Sequence, residues 1–79
     1  MKNFWVHLKS INEVKEFVSI VNTFDTDIDL ISGRYIVDAK SIMGIFSLDL
    51  SQPIQVQVQS GDSDEVTDKL SPFIVNTPE

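Results

Sequence analysis

The chain has one histidine and no cysteine, so few of its side chains suit nucleophilic or phosphoryl-transfer chemistry. His7 lies in a run, residues 4–8, that alternates apolar and other residues with the period of a half-buried strand. A histidine that accepts phosphate needs an exposed ring beside anion-binding amides, normally at a helix start. A strand position provides neither, so the pattern predicts that His7 is a residue on the face of a sheet.

Ser41 is the second candidate, because it precedes a run in which five of the seven residues from 42 to 48 are apolar. Serine is favoured at the N-cap of a helix, where its oxygen accepts a hydrogen bond from a first-turn amide. A phosphate attached there would meet the positive end of the helix. Two interpretations stay open on the residues alone: a regulatory phosphorylation site and an ordinary helix cap.

Three aspartates at alternate positions imitate the first ligands of a calcium loop, namely Asp25, Asp27 and Asp29. Such a loop also needs glycine at its sixth position and glutamate at its twelfth, and here those places hold Leu30 and Ile36. The sequence therefore predicts solvated aspartates, with no metal site and no cofactor.

Length and charge narrow the class of protein further. The 79 residues suffice for a single domain, residues 1–79, and the formal net charge is −6. An acidic chain is unsuited to nucleic acid or anionic membrane surfaces, which require basic patches. Without cysteine, a membrane-length apolar run or a signal-peptide core at the start, the expected location is the cytoplasm.

Hydrophobic periodicity gives the elements that must position these residues. Ser10 and Glu13 form a capping-box pattern, which predicts a helix that carries an apolar stripe and fades near Asn22. Asp62 with Glu65 repeats this pattern for a last helix, which should end near Ser71. The predicted strands cover residues 4–8, 27–31, 34–38 and 54–59.

The predicted order is β-α-β-β-α-β-α, which indicates an α+β protein. Helices with one apolar stripe and strands with one apolar face fit an open-faced, two-layer sandwich. We therefore expect a four-stranded antiparallel sheet with the helices on one side.

The Lys-Ser-Ile-Met-Gly run at residues 40–44, together with the Phe-Asp-Thr-Asp-Ile segment at 24–28, resembles HPr. HPr is the small phosphocarrier family of the sugar phosphotransferase system, and the likeness is greatest to its Gram-positive form. The resemblance implies the HPr-like fold with strand order 1-4-2-3. It also implies that Ser41 is a regulatory phosphorylation site.

The resemblance further implies which side of the central helix meets a partner. It points Ile45 and Leu48 toward the core, with methionine on the outer side suited to adaptable packing. The alternative is that Phe46 folds into the edge of the core. The implied partner-binding residues are Lys40, Ile42, Met43 and Phe46.

The sequence departs from HPr at its front end. In HPr the first helix begins at a histidine that receives phosphate from enzyme I, in a His-x-Arg-Pro setting. Those places are occupied here by Ser10, Asn12 and Glu13. A serine without an adjacent base accepts phosphate poorly, and a glutamate repels the incoming anion.

The sequence thus predicts a non-enzymatic, HPr-like regulatory protein that binds other proteins and is phosphorylated at Ser41. The expected partners are an HPr serine kinase and transcription regulators. Two alternatives stay open: a phosphocarrier that uses an unrecognised acceptor, and a diverged HPr fold that serves an unrelated protein-binding role.

Overall fold

The computed structural model describes residues 2–59 and 63–75, in which strands and helices follow one another much as periodicity predicts. The first helix begins where Ser10 caps it and ends as Asn22 bonds back to Val18. The elements are β1 (Lys2–Val6), α1 (Ile11–Val21), β2 (Ile28–Ser32), β3 (Tyr35–Asp38), α2 (Ile42–Phe46), β4 (Ile54–Val58), α3 (Ser63–Lys69) and β5 (Ile74–Val75).

The strands form one antiparallel sheet in the order β3-β2-β4-β1-β5. Strand β4 is central, and its clean alternation buries one face along its whole length. Val56 lies opposite Leu30 on one side and Phe4 on the other. The predicted order 1-4-2-3 therefore holds for the first four strands.

The prediction of a four-stranded sheet is wrong, because a fifth strand pairs with β1. Pro72 lies in the first turn of a 3₁₀ segment, Ser71–Phe73, which follows α3. Proline is accepted there because its missing N–H has no helical partner to lose. The segment leads directly into β5, whose Ile74 and Val75 pair with Val6 and Trp5.

All three helices lie on one face of the sheet. Val14, Phe17 and Val21 of α1 are fully buried, and they join the inward side chains of β4 in one core. The Phe17 and Phe73 rings meet edge to face, with their centroids 6.3 Å apart. This layering confirms the predicted α+β sandwich.

Some predicted boundaries shift. Strand β1 ends at Val6, so His7 lies just beyond it. The last helix ends near Ser71 as expected, and the predicted cap at Asp62 lies outside the described residues.

Candidate functional site

The start of α1 is held by the predicted capping interactions. Ser10 has extended backbone, and its Oγ accepts a hydrogen bond of 3.1 Å from the Glu13 N–H. Glu13 reaches back one residue farther than a standard capping box, because its Oε1 accepts from the Lys9 N–H at 2.9 Å. Ser10 therefore acts as a helix cap, and its side chain is exposed.

Asn12 and His7 lie on either side of that cap in the sequence. Asn12 is exposed in the first turn of α1. His7 is half-buried on the strand side, and its backbone N–H donates to the Phe73 carbonyl at 2.9 Å. His7 therefore follows β1 rather than lying within it, so the predicted position on the sheet face is off by one residue, and His7 comes three residues before the Ser10 cap.

An open depression of about 340 Å³ lies between the start of α1 and the segment after α2. Ser10, the N-cap of α1, and Phe46, the last residue of α2, both line it. Ile11 forms part of its rim and is 62% exposed, which is unusual for an isoleucine. The lining residues are Leu8, Lys9, Ser10, Ile11, Phe46, Leu50 and Ser51.

A short polar turn fixes the far wall of the depression. The Ser51 hydroxyl donates to Asp49 Oδ1 at 2.6 Å, and the Ser51 N–H donates to the same oxygen at 3.1 Å. These bonds, the hydroxyl first, lower the pKa of the Asp49 carboxyl because they favour its charged form. Ser51 is therefore held in place at the wall.

The start of α2 is built on Ser41. Its Oγ accepts from the Gly44 N–H at 3.2 Å, which confirms the predicted N-cap, and its side chain is exposed. Gly44 lets the helix approach the sheet closely, because a Cβ there would lie 3.3 Å from the Val37 Cβ. The helix has only five residues, and it packs closely on β3 at Gly44.

The facing of α2 agrees with the prediction at every predicted position except Ile42. Ile45 is fully buried and Leu48 is 8% exposed, so both point to the core. Met43 is 76% exposed and Phe46 is 42% exposed, so Phe46 does not fold into the core. Ile42 is half-buried and packs against the core, so it presents less surface than the prediction implied.

Lys40 has a structural role that the sequence did not reveal. Its ammonium donates to the Phe24 carbonyl at 2.6 Å, and its backbone N–H donates to Asp38 Oδ1 at 2.9 Å. The side chain is half-buried and already has a hydrogen-bond partner. Its contribution to partner binding stays a prediction.

The structure therefore places apolar side chains on the helix side, of which Ile11, Phe46 and the half-buried Leu50 line the depression, whereas Met43 lies on α2 outside it. We call these four residues, Ile11, Met43, Phe46 and Leu50, the helix-side patch. Ile11 and Leu50 were not predicted. One signal was available for Ile11, which lies outside the inward stripe of α1 although it is apolar.

Residues 2–59 and 63–75 contain no group of three or more histidine, aspartate or glutamate residues that could hold a metal ion. No helix in that part of the chain is long and apolar enough to cross a membrane.

The sequence matches the family model described as the PTS HPr component phosphorylation site, over residues 8–76. Because the match covers most of the chain, the protein belongs to the HPr family of the sugar phosphotransferase system. Proteins of this family are phosphocarriers rather than enzymes, and they interact with other proteins of that system.

Solved structures of HPr proteins are also similar to this chain. An HPr phosphocarrier from Bacillus anthracis is 30% identical, with a TM-score of 0.72 and coverage of 94% of each chain. HPr-C-His from Thermoanaerobacter tengcongensis is 28% identical, with a TM-score of 0.78, and the match covers 91% of this chain and 89% of that one.

A third similar structure is that of Crh, a catabolite repression protein of Bacillus subtilis described as a domain-swapped dimer. It is 29% identical, with a TM-score of 0.66, and the match covers 84% of this chain and 78% of that one. A search of curated proteins gives no significant match.

Proposed function

We propose that this protein is a regulatory, protein-binding member of the HPr family that does not carry phosphate on histidine. The observation that carries the proposal is that Ser10 caps α1, the place where the family resemblance expects the phosphate-accepting histidine. The proposal includes the cytoplasmic location expected from the sequence.

The surroundings of Ser10 support this. The one hydrogen bond described for its hydroxyl is accepted from the Glu13 amide, so no base is seen to take its proton. The Glu13 carboxylate lies in the same first turn and would repel an incoming phosphoryl group. Asn12, in place of the family's arginine, adds no positive charge there.

The helix-side patch supports a docking role instead. Ile11 and Phe46 are exposed on either side of a depression that can receive an apolar side chain of a partner. Lys9 is the one cationic residue in its lining, which suits an apolar anchor more than a phosphate.

Phosphoryl transfer is tested with enzyme I and phosphoenolpyruvate, followed by intact-mass measurement at neutral pH. We expect no mass gain for this chain and an acid-labile gain of one phosphate for a histidine-bearing HPr in the same reaction. An acid-labile phosphate on this chain would contradict the proposal and favour a phosphocarrier with an unrecognised acceptor.

We further propose that phosphorylation of Ser41 controls partner choice. Its hydroxyl is exposed at the start of α2, the helix that carries Met43 and Phe46. A phosphate adds a charge of about −1.5 to −2 and three acceptor oxygens beside the helix amides. The modified patch would repel acidic or apolar partners and attract partners that offer arginine. Crh, whose name refers to catabolite repression, is a similar protein that supports a regulatory role.

The test treats the protein with an HPr serine kinase and maps the modified residue. Binding to candidate transcription regulators is then compared for the wild type, Ser41→Ala and Phe46→Ala. We expect modification at Ser41, a changed partner preference, and loss of binding for Phe46→Ala. If the kinase leaves Ser41 unmodified, or both forms bind every candidate equally, Ser41 is only a helix cap.

A further inference from the structure

The second face of the sheet carries no helix among the described residues, and it presents a row of five residues, one from each strand, of which four are apolar. Strand pairing places Ile36 opposite Ile31, Ile31 opposite Gln55, Gln55 opposite Trp5, and Trp5 opposite Val75. These five residues form what we call the open-face row. Its four apolar members are half-buried or exposed, and Ile36 at the edge is 67% exposed.

The row next to it on the same face is polar and acidic. Asp38 lies opposite Asp29, Asp29 opposite Gln57, and Gln57 opposite Asn3. Asp29 Oδ2 accepts from Gln59 Nε2 at 3.0 Å.

Neither aspartate of this row forms an ion pair with a side chain that the structure describes. Asp38 Oδ1 accepts the backbone amide of Lys40 at 2.9 Å. Both carboxylates therefore keep their negative charge available to a ligand on the open face.

Lys40, the cationic residue nearest to Asp38 along the chain, donates its ammonium to the Phe24 carbonyl instead. Asp27 is exposed just before β2, so it adds a negative charge at the same end as Asp29. Arg34 is exposed in the β2–β3 turn, and His7 follows β1, so both lie at the other end of the strands. The face thus has a row of four apolar residues and Gln55, with acidic residues beside it on β2 and β3.

We propose that the open-face row docks a cationic amphipathic helix of another protein, with apolar residues over the row and lysine or arginine over Asp29 and Asp38. Five strands spaced about 4.8 Å apart make a row about 19 Å long. A helix of about 13 residues has that length. The charge disfavours the competing occupants: a second copy brings another −6, and nucleic acid or an anionic membrane is repelled.

This surface is separate from the helix-side patch, because the helices lie on the opposite face of the sheet. The inference therefore does not depend on the proposed function. It predicts a second binding event that Ser41 and Phe46 do not mediate.

Trp5 makes the proposal directly testable. It is the only tryptophan and a member of the open-face row, so its emission reports on this face alone. The full chain is titrated with a synthetic, tryptophan-free helix of about 18 residues that has leucine on one side and lysine on the other. We expect a saturable blue shift that weakens with salt, and none with a peptide of the same composition whose leucines are scattered.

Matched variants locate the site. Ile36→Lys should weaken binding by about tenfold, because it puts a cation at the apolar row. Ser19→Lys adds the same charge on the exposed side of α1 and should change the affinity by less than about twofold. Changing both Asp29 and Asp38 to asparagine should reduce the salt dependence. Thermal midpoints show whether each variant is folded.

Three outcomes overturn the proposal. One is the absence of a Trp5 shift with the amphipathic helix. A second is equal weakening by Ile36→Lys and Ser19→Lys. The third is a shift that follows protein concentration without peptide, with a dimer in sedimentation, since this would assign the face to a second copy.

Discussion

The assignment of the two sheet faces is tested by truncating one residue on the inward face of the central strand. Val56 is fully buried in β4, between Leu30 and Phe4 on the neighbouring strands. Val56→Ala removes two carbons, which costs about 1.6 kcal/mol in lost burial. A residual cavity of about 50 Å³ adds about 1 kcal/mol, so we expect a loss of about 2.5 kcal/mol. A domain of this size has about 4–12 kcal/mol of stability in total.

Urea unfolding measures this loss against a control one residue away. Gln57 is half-buried on the open face, so Gln57→Ala should cost no more than about 0.5 kcal/mol. With a slope of about 1–1.5 kcal/mol per molar urea, the midpoint should fall by about 2 M for Val56→Ala. Equal shifts for the two variants would refute the face assignment, and the open-face row with it.

The remaining predictions concern the helix side. Ser41→Ala should lower the free energy of unfolding by about 1 kcal/mol because the α2 cap is lost, whereas Ser41→Asp should keep most of it. Equal thermal midpoints for the two would exclude the cap. Phe46→Ala should cost less than Val56→Ala, because Phe46 is 42% exposed and its truncation leaves no enclosed cavity. A loss as large as that of Val56→Ala would place the ring in the core. Ser51→Ala should raise the pKa of the Asp49 carboxyl toward its ordinary value, as followed by carboxyl NMR. Because the folded-state pKa is lowered, the stabilisation is present above the unfolded-state pKa and is lost as pH falls through the folded value. An unchanged titration in Ser51→Ala would show that the hydroxyl bond is absent in solution.

Most helices and strands can be predicted from hydrophobic periodicity. The part of the fold that was missed depends on contacts between residues far apart in the sequence. The alternation around Val56 correctly gave the inward face of β4, and Ser10 correctly marked the start of α1. Strand β5 was missed because two residues have no period to detect. Its pairing depends on the 3₁₀ segment at Ser71–Phe73, which reverses the chain onto β1.

The features of the candidate site that were predicted are those that depend on residues close together in the sequence. The caps at Ser10 and Ser41 depend on residues three positions away, so the sequence displays them. The depression depends on Ile11 and Leu50, which are far apart in sequence and meet only after α1 and α2 pack on the sheet. The bond from Lys40 to the Phe24 carbonyl is equally nonlocal, and sequence reasoning assigned that ammonium to a partner.

The geometry of that lysine bears on how a charge at Ser41 would act. The turn before α2 is tied down at several points: the Ser41 N–H donates to the Asp38 carbonyl at 3.0 Å, and Lys40 bonds both to the Asp38 side chain and to Phe24. The Ser41 Oγ is itself fixed on Gly44. A phosphate on so restrained a residue gains little by moving the backbone, because several hydrogen bonds oppose the movement. Its effect should therefore be electrostatic and confined to the side chains around the start of α2, which makes partner choice rather than fold stability the quantity it changes.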